Sequence, residues 1–289
     1  MWPPADFRAN PAYRLSRRAE LETARPLLYW AETNGRGMRV TAAAAAMTLE
    51  ESRNSKSGVD FTGVYRTGAY CEQNPDLHAG DSPWKVRQIL EMLQRHGLRP
   101  MTVCDVGCGA GHILRLLQPH LPPEAALRGY DISPPAIQLS RQFENDRLRF
   151  SCQDYLSDDF GTSDLLLCID VLEHVPDYLG FLAQLRTRAT LKIFHIPLEM
   201  CARSALCSRS ILRNRAETGH LHYFNLDTAL VTLRDTGYKV IDSFYTPSFR
   251  LSLNTAGRKE RLLRTLFRVT SRDFEARVLG GYSLLALAE

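Results

Sequence analysis

No Cys-x-x-Cys pair occurs anywhere in this chain of 289 residues, although it holds seven cysteines. That absence removes the usual spacings of a structural zinc site and of a dithiol redox motif. Cys104 and Cys108 have the first spacing of a Cys-x-x-x-Cys-x-x-Cys cluster, but the third cysteine is missing. The cysteine number is odd, and Cys104, Cys152 and Cys168 fall in apolar strand-like runs, where a free thiol behaves as a small hydrophobe. A reducing cytoplasm is therefore expected. Lysine is also scarce, standing only at positions 56, 85, 192, 239 and 259. A net charge of +4, carried mostly by arginine, is no nucleic-acid footprint, so no nucleic-acid partner is expected. No apolar run approaches the roughly 20 residues of a membrane helix, and Ala42–Met47 is too short for a signal-peptide core. Neither membrane insertion nor export is expected.

What the chain does have is a change of texture along its length. Residues 1–60, with Pro3, Pro4, Pro11, many arginines and an alanine run, show little core-forming pattern. They are expected to be a poorly structured or loosely docked extension with one short helix over Leu21–Trp30. Met38 and Met47 are candidates for the physiological start, an expectation to be tested on the native N-terminus. Residues 61–100 form an aromatic cap segment and a leading helix. Tyr65, Tyr70, His78 and Trp84 alternate with Gly, Asn, Pro and Asp, which predicts an ordered loop that covers a site. Ser82 is the expected N-cap of the helix, with Pro83 at its first position and Gly97 ending it.

From residue 101 onward strands and helices alternate. Strands are expected at Met101–Val106, Ala125–Tyr130, Leu148–Cys152, Asp164–Ile169, Leu191–Ile196, Tyr238–Tyr245 and Gly281–Ala288. Ser133-Pro134-Pro135 opens one of the intervening helices. Such repetition gives an α/β fold with a mostly parallel sheet and helices on both faces. The unbroken apolar run Leu165–Ile169 suits a strand buried on both sides. Insertions at 198–219 and 247–280 interrupt the rhythm. The first carries Arg203, Arg209, Arg213 and Arg215, a basic flap beside the expected substrate mouth. The second carries Arg258–Arg261 followed by Leu262, Leu263, Leu266 and Phe267, an amphipathic helix expected to pack on its own domain.

The densest signal is Val103–His112, a strand that runs into a glycine-rich turn and then a helix. A dinucleotide loop would show Gly-x-Gly-x-x-Gly. Here Gly107, Gly109 and Gly111 stand as Gly-x-Gly-x-Gly, with Asp105 two positions before. Further acids, Asp131, Asp154 and Asp170, close successive strands, and in a parallel sheet such positions gather along the ligand-binding edge.

These segments, Asp105–Gly111, Gly129-Tyr-Asp131-Ile-Ser133, Gln153-Asp154 and Cys168–Val175, resemble those of class I S-adenosylmethionine-dependent methyltransferases, over about residues 84 to 289. The resemblance implies a Rossmann-like, seven-stranded sheet whose last strand enters antiparallel between the two before it, led in by Gly280-Gly281-Tyr282. It implies S-adenosyl-L-methionine as cofactor. Gly107, Cys108, Gly109 and Gly111 would line the methionine part and ribose, and Asp105 would order that loop or meet the cofactor amine. Asp131 would accept from both ribose hydroxyls, Ile132 would pack on adenine and Asp154 would receive the adenine amino group. Asp170, or backbone beside it, would meet the cofactor amine, unless Asp170 and Glu173 merely cap a helix. Tyr65 and Tyr70 would close over the cofactor.

Methyl transfer to an alcohol, phenol or amine also requires loss of a proton, for which histidine is the usual acceptor. The order of candidates is His222, His220, then His195. His220 and His222 stand at alternate positions and would share a face in an extended segment. They would make a metal pair, but no third ligand is visible in the spacing, so no metal is expected. The expected activity is methylation, at oxygen, of a small-molecule acceptor such as a metabolite or natural-product intermediate, by a monomer or homodimer. The alternative is a macromolecular methyltransferase that uses its basic insertions to hold RNA or protein; Asp170-Val-Leu-Glu stands where an amine-methylation motif would be.

Overall fold

Alternate residues of Leu165–Ile169 go to opposite sides of one sheet. Leu165, Leu167 and Ile169 join one buried cluster, and Leu166 and Cys168 join another. A strand with apolar residues on both faces is stable only between two layers, and that is where it lies. A computed structural model describes residues 61–74, 77, 79–157, 161–248 and 271–289. The helix expected at 21–30, the basic helix at 258–267 and His78 lie outside the described residues.

The sheet has seven strands: β1 Thr102–Val106, β2 Ala126–Asp131, β3 Leu148–Cys152, β4 Ser163–Ile169, β5 Ala189–Leu198, β6 Val240–Thr246 and β7 Tyr282–Ala288. Their order is β3-β2-β1-β4-β5-β7-β6. The β1–β2, β1–β4, β2–β3 and β4–β5 pairs are parallel. Strand β7 runs antiparallel between β5 and β6, as expected. Gly280 and Gly281, both at positive φ (67° and 83°), make the turn into β7.

Helices α1 Gly63–Arg66, α2 Ala69–Gln73, α3 Ser82–Arg95, α4 His112–Leu117, α5 Pro134–Ser140, α6 Tyr178–Leu185, α7 Ala202–Leu206, α8 Arg209–Glu217, α9 Leu226–Asp235 and α10 Arg272–Leu279 complete the described fold. On one face, Ile89 and Met92 of α3, Leu114 and Leu117 of α4 and Ile137 of α5 pack on Val103, Leu165 and Leu167. On the other, Leu182 and Leu185 of α6 and Ala229 and Leu233 of α9 pack on Leu166, Phe194 and Leu284. Each fully buried Leu or Ile contributes about 1.5–3 kcal/mol. Phe194 is the bulkiest of the wholly buried side chains among the described residues, and its truncation to Ala should cost about 3–5 kcal/mol.

Two local expectations change. The segment 61–74 holds two short helices instead of a loop. Gly68 at φ 86° breaks the chain between them, and neither has a side-chain cap. Helix α3 begins at Ser82 with Asp81 as N-cap, so Ser82 and Pro83 both lie in the first turn. Helix α5 starts as expected: the Ser133 side chain accepts from Ala136 N at 3.4 Å, and two prolines fill the first turn.

The β3-β2-β1-β4-β5 order reverses direction at β1, and ligands bind at the carboxyl ends of strands flanking such a point. The loop after β1, the ends of β2 and β4 and the loops after β3 and β5 therefore frame one mouth.

Candidate active site

A cavity of about 630 Å³ opens at that mouth. Its glycine loop is fixed before any ligand arrives. Gly107 N and Cys108 N donate to Tyr130 O at 2.8 and 3.0 Å. Gly109 N donates to Asp131 Oδ2 at 2.8 Å, and Ser133 N donates to Asp131 Oδ1 at 2.8 Å. Asp131 thus clamps the loop after β1 to the loop after β2, and each oxygen keeps a further lone pair. Burial pushes its carboxyl up, while the N–H groups of Ser133, Gly109 and Ile132 pull it back.

All three loop glycines have positive φ, but they serve different ends. A Cβ on Gly107 would meet Val171 Cγ2 at 2.6 Å, and one on Gly111 would meet the Phe150 ring at 2.5 Å. A Cβ on Gly109 would meet nothing within 4 Å. Gly109 leaves open space on the cavity wall, and Gly111 serves packing. Gly107, Cys108, Gly109, Asp131, Ile132, Asp154, Asp170, Tyr65 and Tyr70 line the cavity; Gly111 and Asp105 do not. Asp105 lies behind the wall, almost fully buried, with Oδ2 lacking a hydrogen-bond partner. Burial, then the charge of Asp131, pushes its carboxyl up to about 8.

Asp170 does not wait for a ligand amine. Lys85 Nζ stands 2.7 Å from its Oδ2 and His195 Nδ1 stands 2.5 Å from its Oδ1. Burial alone would raise its carboxyl, but His195 and Lys85 outweigh burial and hold it well below the usual range. Asp170 sits at φ 56°, a left-handed backbone that sets its side chain between the two. His195 Nε2 lies 2.9 Å from Thr246 Oγ1, so both ring nitrogens are engaged, and Trp84 meets the ring edge-on with centroids 5.7 Å apart. Lys85 carried no sequence signal beyond its place one residue from two core positions of a helix.

The three candidate histidines separate. His222 is not on the cavity wall: its Nε2 donates to Val175 O at 2.9 Å and its ring packs on Tyr178, centroids 4.5 Å apart. This corrects its first rank as a base. His195 and His220 do line the cavity. His220 Nδ1 lies 3.0 Å from Glu199 Oε1 as an ion pair, though off the line of a hydrogen bond. His174 joins it, ring centroids 4.8 Å apart, and Tyr65 Oη lies 2.9 Å from His174 Nδ1. Tyr65 and Tyr70 pack against each other at a tilt, centroids 4.9 Å apart, and both meet His174 edge-on. Burial pushes both phenols well up, so they stay protonated.

Glu173 completes the wall. It is almost fully buried, and neither carboxylate oxygen has a hydrogen-bond partner among the described residues. Burial, then the charge of Asp170, raises its carboxyl far above the usual range. Glu173, His174 and His220 each offer one ligand atom, all within 4.8 Å of one another. This set shares only His220 with the His220–His222 pair weighed from the sequence, and His222 lies outside it. The arginines of the 198–219 insertion stay exposed and off the cavity, which Asn214 and Thr218 line instead.

Residues 82–243 match the methyltransferase domain family. The chain belongs to that family. It is 33% identical over 89 residues to the ubiquinone biosynthesis O-methyltransferase of Coxiella burnetii, covering 29% of this chain and 37% of that one. It is 30% identical over 83 residues to the malonyl-[acyl-carrier protein] O-methyltransferase of Acetivibrio thermocellus, covering 28% of this chain and 29% of that one. The chain thus spans little more than a third of the first relative's length. Among solved structures, a chain of the complex between the Trm112 methyltransferase activator and a methyltransferase of Haloferax volcanii covers 77% of this chain and 94% of its own length, at 15% identity and TM-score 0.53. That likeness is one of fold. Among the described residues of this methyltransferase, no helix is long and apolar enough to cross a membrane.

Proposed function

We propose that this methyltransferase uses S-adenosyl-L-methionine to methylate an oxygen of a small-molecule acceptor. The observation that carries the reading is one cavity lined by the Gly109–Asp131 cradle, by the Glu173–His174–His220 wall and by Tyr65 and Tyr70. A cavity with aromatic lining suits a small acceptor better than a polymer held on exposed arginines. The O-methyltransferase relatives support oxygen as the acceptor atom.

The residues present fit the cofactor. Open space beside Gly109 admits a ligand against the backbone, and Asp131 keeps lone pairs for a ribose diol. Ile132 and Asp154 are available to the adenine, which an apolar side chain and a carboxylate suit. Glu173, on the cavity wall, offers two carboxyl oxygens to a polar group of the ligand. When bound, the cofactor supplies a methyl group already activated on a sulfonium, so the protein's task is alignment and handling of the acceptor proton. The Glu173–His174–His220 wall activates the acceptor oxygen, and the Lys85–Asp170–His195–Thr246 chain holds that side of the cavity in place.

Calorimetric titration with S-adenosyl-L-methionine tests the cofactor half. Asp131→Ala, shown folded by circular dichroism, should bind at least about tenfold more weakly, the loss of one charge-assisted contact. Equal affinity would remove the assignment. Methyl-labelled cofactor incubated with metabolite extract should label a low-molecular-weight product; label only in RNA or protein would favour the macromolecular alternative.

A further inference from the structure

We propose that Glu173, His174 and His220 hold a divalent cation of the first transition row, with zinc the best match. Two imidazoles and one carboxylate are the donor set of an open zinc site, in which three protein ligands leave a fourth position for an exchangeable oxygen. Imidazole donors favour such ions over magnesium or calcium.

Four observations converge. First, the three donor atoms already lie within 4.8 Å of one another. Bonds of roughly 2.0–2.1 Å place tetrahedral donors about 3.4 Å apart, so the side chains need close by only about an ångström. Second, Glu173 is 1% exposed and, among the described residues, neither of its oxygens has a hydrogen-bond partner. Burying two carboxyl oxygens without partners is costly unless something cationic meets them. Third, the backbone is held in place: Leu221 N and His222 N donate to Glu173 O at 2.7 and 3.2 Å, which joins the turn bearing Glu173 and His174 to the loop bearing His220. Fourth, the outer groups suit ligating histidines. The Tyr65 hydroxyl holds His174 Nδ1, with Nε2 4.0 Å from Glu173 Oε1, and the Glu199 carboxylate stands beside His220. Oxygen partners of this kind orient metal-binding imidazoles.

All three residues line the cavity, so the fourth position is reachable by an acceptor. An acceptor hydroxyl bound there becomes more acidic. Its proton leaves to water at the cavity mouth, and the oxygen then bonds to the methyl carbon as the carbon–sulfur bond breaks and sulfur keeps the electron pair. The inference rests on the methyl-transfer reading for this role only; binding of the ion is independent of it.

The test uses the full chain, stripped with a chelator, dialysed and titrated with Co²⁺ as a spectroscopic probe. The expected result is saturable uptake of one equivalent, visible d–d bands of a four-coordinate site, and displacement by Zn²⁺. His220→Ala and Glu173→Gln should each weaken uptake at least about tenfold, while His120→Ala, in an exposed turn, should not. Circular dichroism checks that each variant folds, and His220→Ala decides if Glu173→Gln does not. No saturable uptake by the folded wild type, or unchanged uptake by His220→Ala, overturns the site. Calorimetry with S-adenosyl-L-methionine on the same samples keeps the two readings apart: cofactor binding without cobalt uptake sinks the cation site and leaves methyl transfer standing.

Discussion

Asp170 and His195 meet at 2.5 Å, Oδ1 to Nδ1, where β4 ends beside β5. The backbones are joined there too, Asp170 N donating to His195 O at 2.9 Å. Lys85 takes the other carboxylate oxygen at 2.7 Å, so helix α3, the end of β4 and β5 are tied by one anion between two basic side chains.

Lys85→Met tests that tie. Removing one partner of a buried pair costs roughly 3–5 kcal/mol, but Asp170 keeps 22% of its side chain exposed and keeps His195, so a loss of about 1–3 kcal/mol is expected. Urea unfolding measures it. Asp170→Asn should cost less in the Lys85→Met background than alone, because the contact with Lys85 is already gone and only that with His195 remains to be lost. Additive losses would show that the two residues act separately.

The glycines separate folding from binding. Gly111→Ala puts a methyl group 2.5 Å from the Phe150 ring at φ 77°, so about 2–4 kcal/mol of stability should be lost from overpacking and left-handed strain together. Gly109→Ala meets no protein atom and should cost only the strain, about 1–2 kcal/mol. Its methyl group occupies open cavity wall, so cofactor affinity should fall more than stability does. Thermal melts and calorimetry on the two variants should rank them in opposite orders.

The acids at the strand ends and the glycine loop were legible because they follow the strand–turn–helix period, which is local. The wall of Glu173, His174 and His220 was not, since it joins a short turn to a loop after two insertion helices. The pairing of His220 with His222 failed for a physical reason. Alternation puts i and i+2 on one face only in a regular strand, whereas here Leu221 N and His222 N both turn onto Glu173 O. Lys85 was invisible because its partner, Asp170, lies 85 positions away on another element. The 61–74 segment looked like a loop because neither of its short helices has an apolar stripe long enough to show a period.

Buried carboxyl groups make stability depend on pH. Asp105 is protonated in the folded chain up to about pH 8 and ionised in the unfolded chain above about pH 4. Between those values the folded state binds more protons than the unfolded one, so stability falls as pH rises through that window. The raised carboxyl of Glu173 acts in the same direction. Asp105→Asn abolishes the first contribution and should narrow the difference in urea stability between about pH 5 and about pH 8 by a few kcal/mol. An unchanged difference would show that Asp105 is ionised in the fold.

His220 and His222 are two positions apart and should differ in turnover when truncated. His222→Ala removes the hydrogen bond to Val175 O, worth about 0.5–1.5 kcal/mol, and the packing on Tyr178. Its cost should appear in the melting temperature, while turnover per folded molecule stays near wild type because no atom of His222 lines the cavity. His220→Ala removes a ring that faces the cavity and pairs with Glu199, so a stability loss of about 1 kcal/mol is expected beside the loss of turnover. Turnover should fall by roughly 10–100-fold or more, as for the loss of a group that holds the acceptor-activating ion. Initial rates with labelled cofactor and an accepted substrate, normalised to folded protein, decide the matter. If His222→Ala is the variant that loses turnover, the Glu173–His174–His220 wall is not what activates the acceptor.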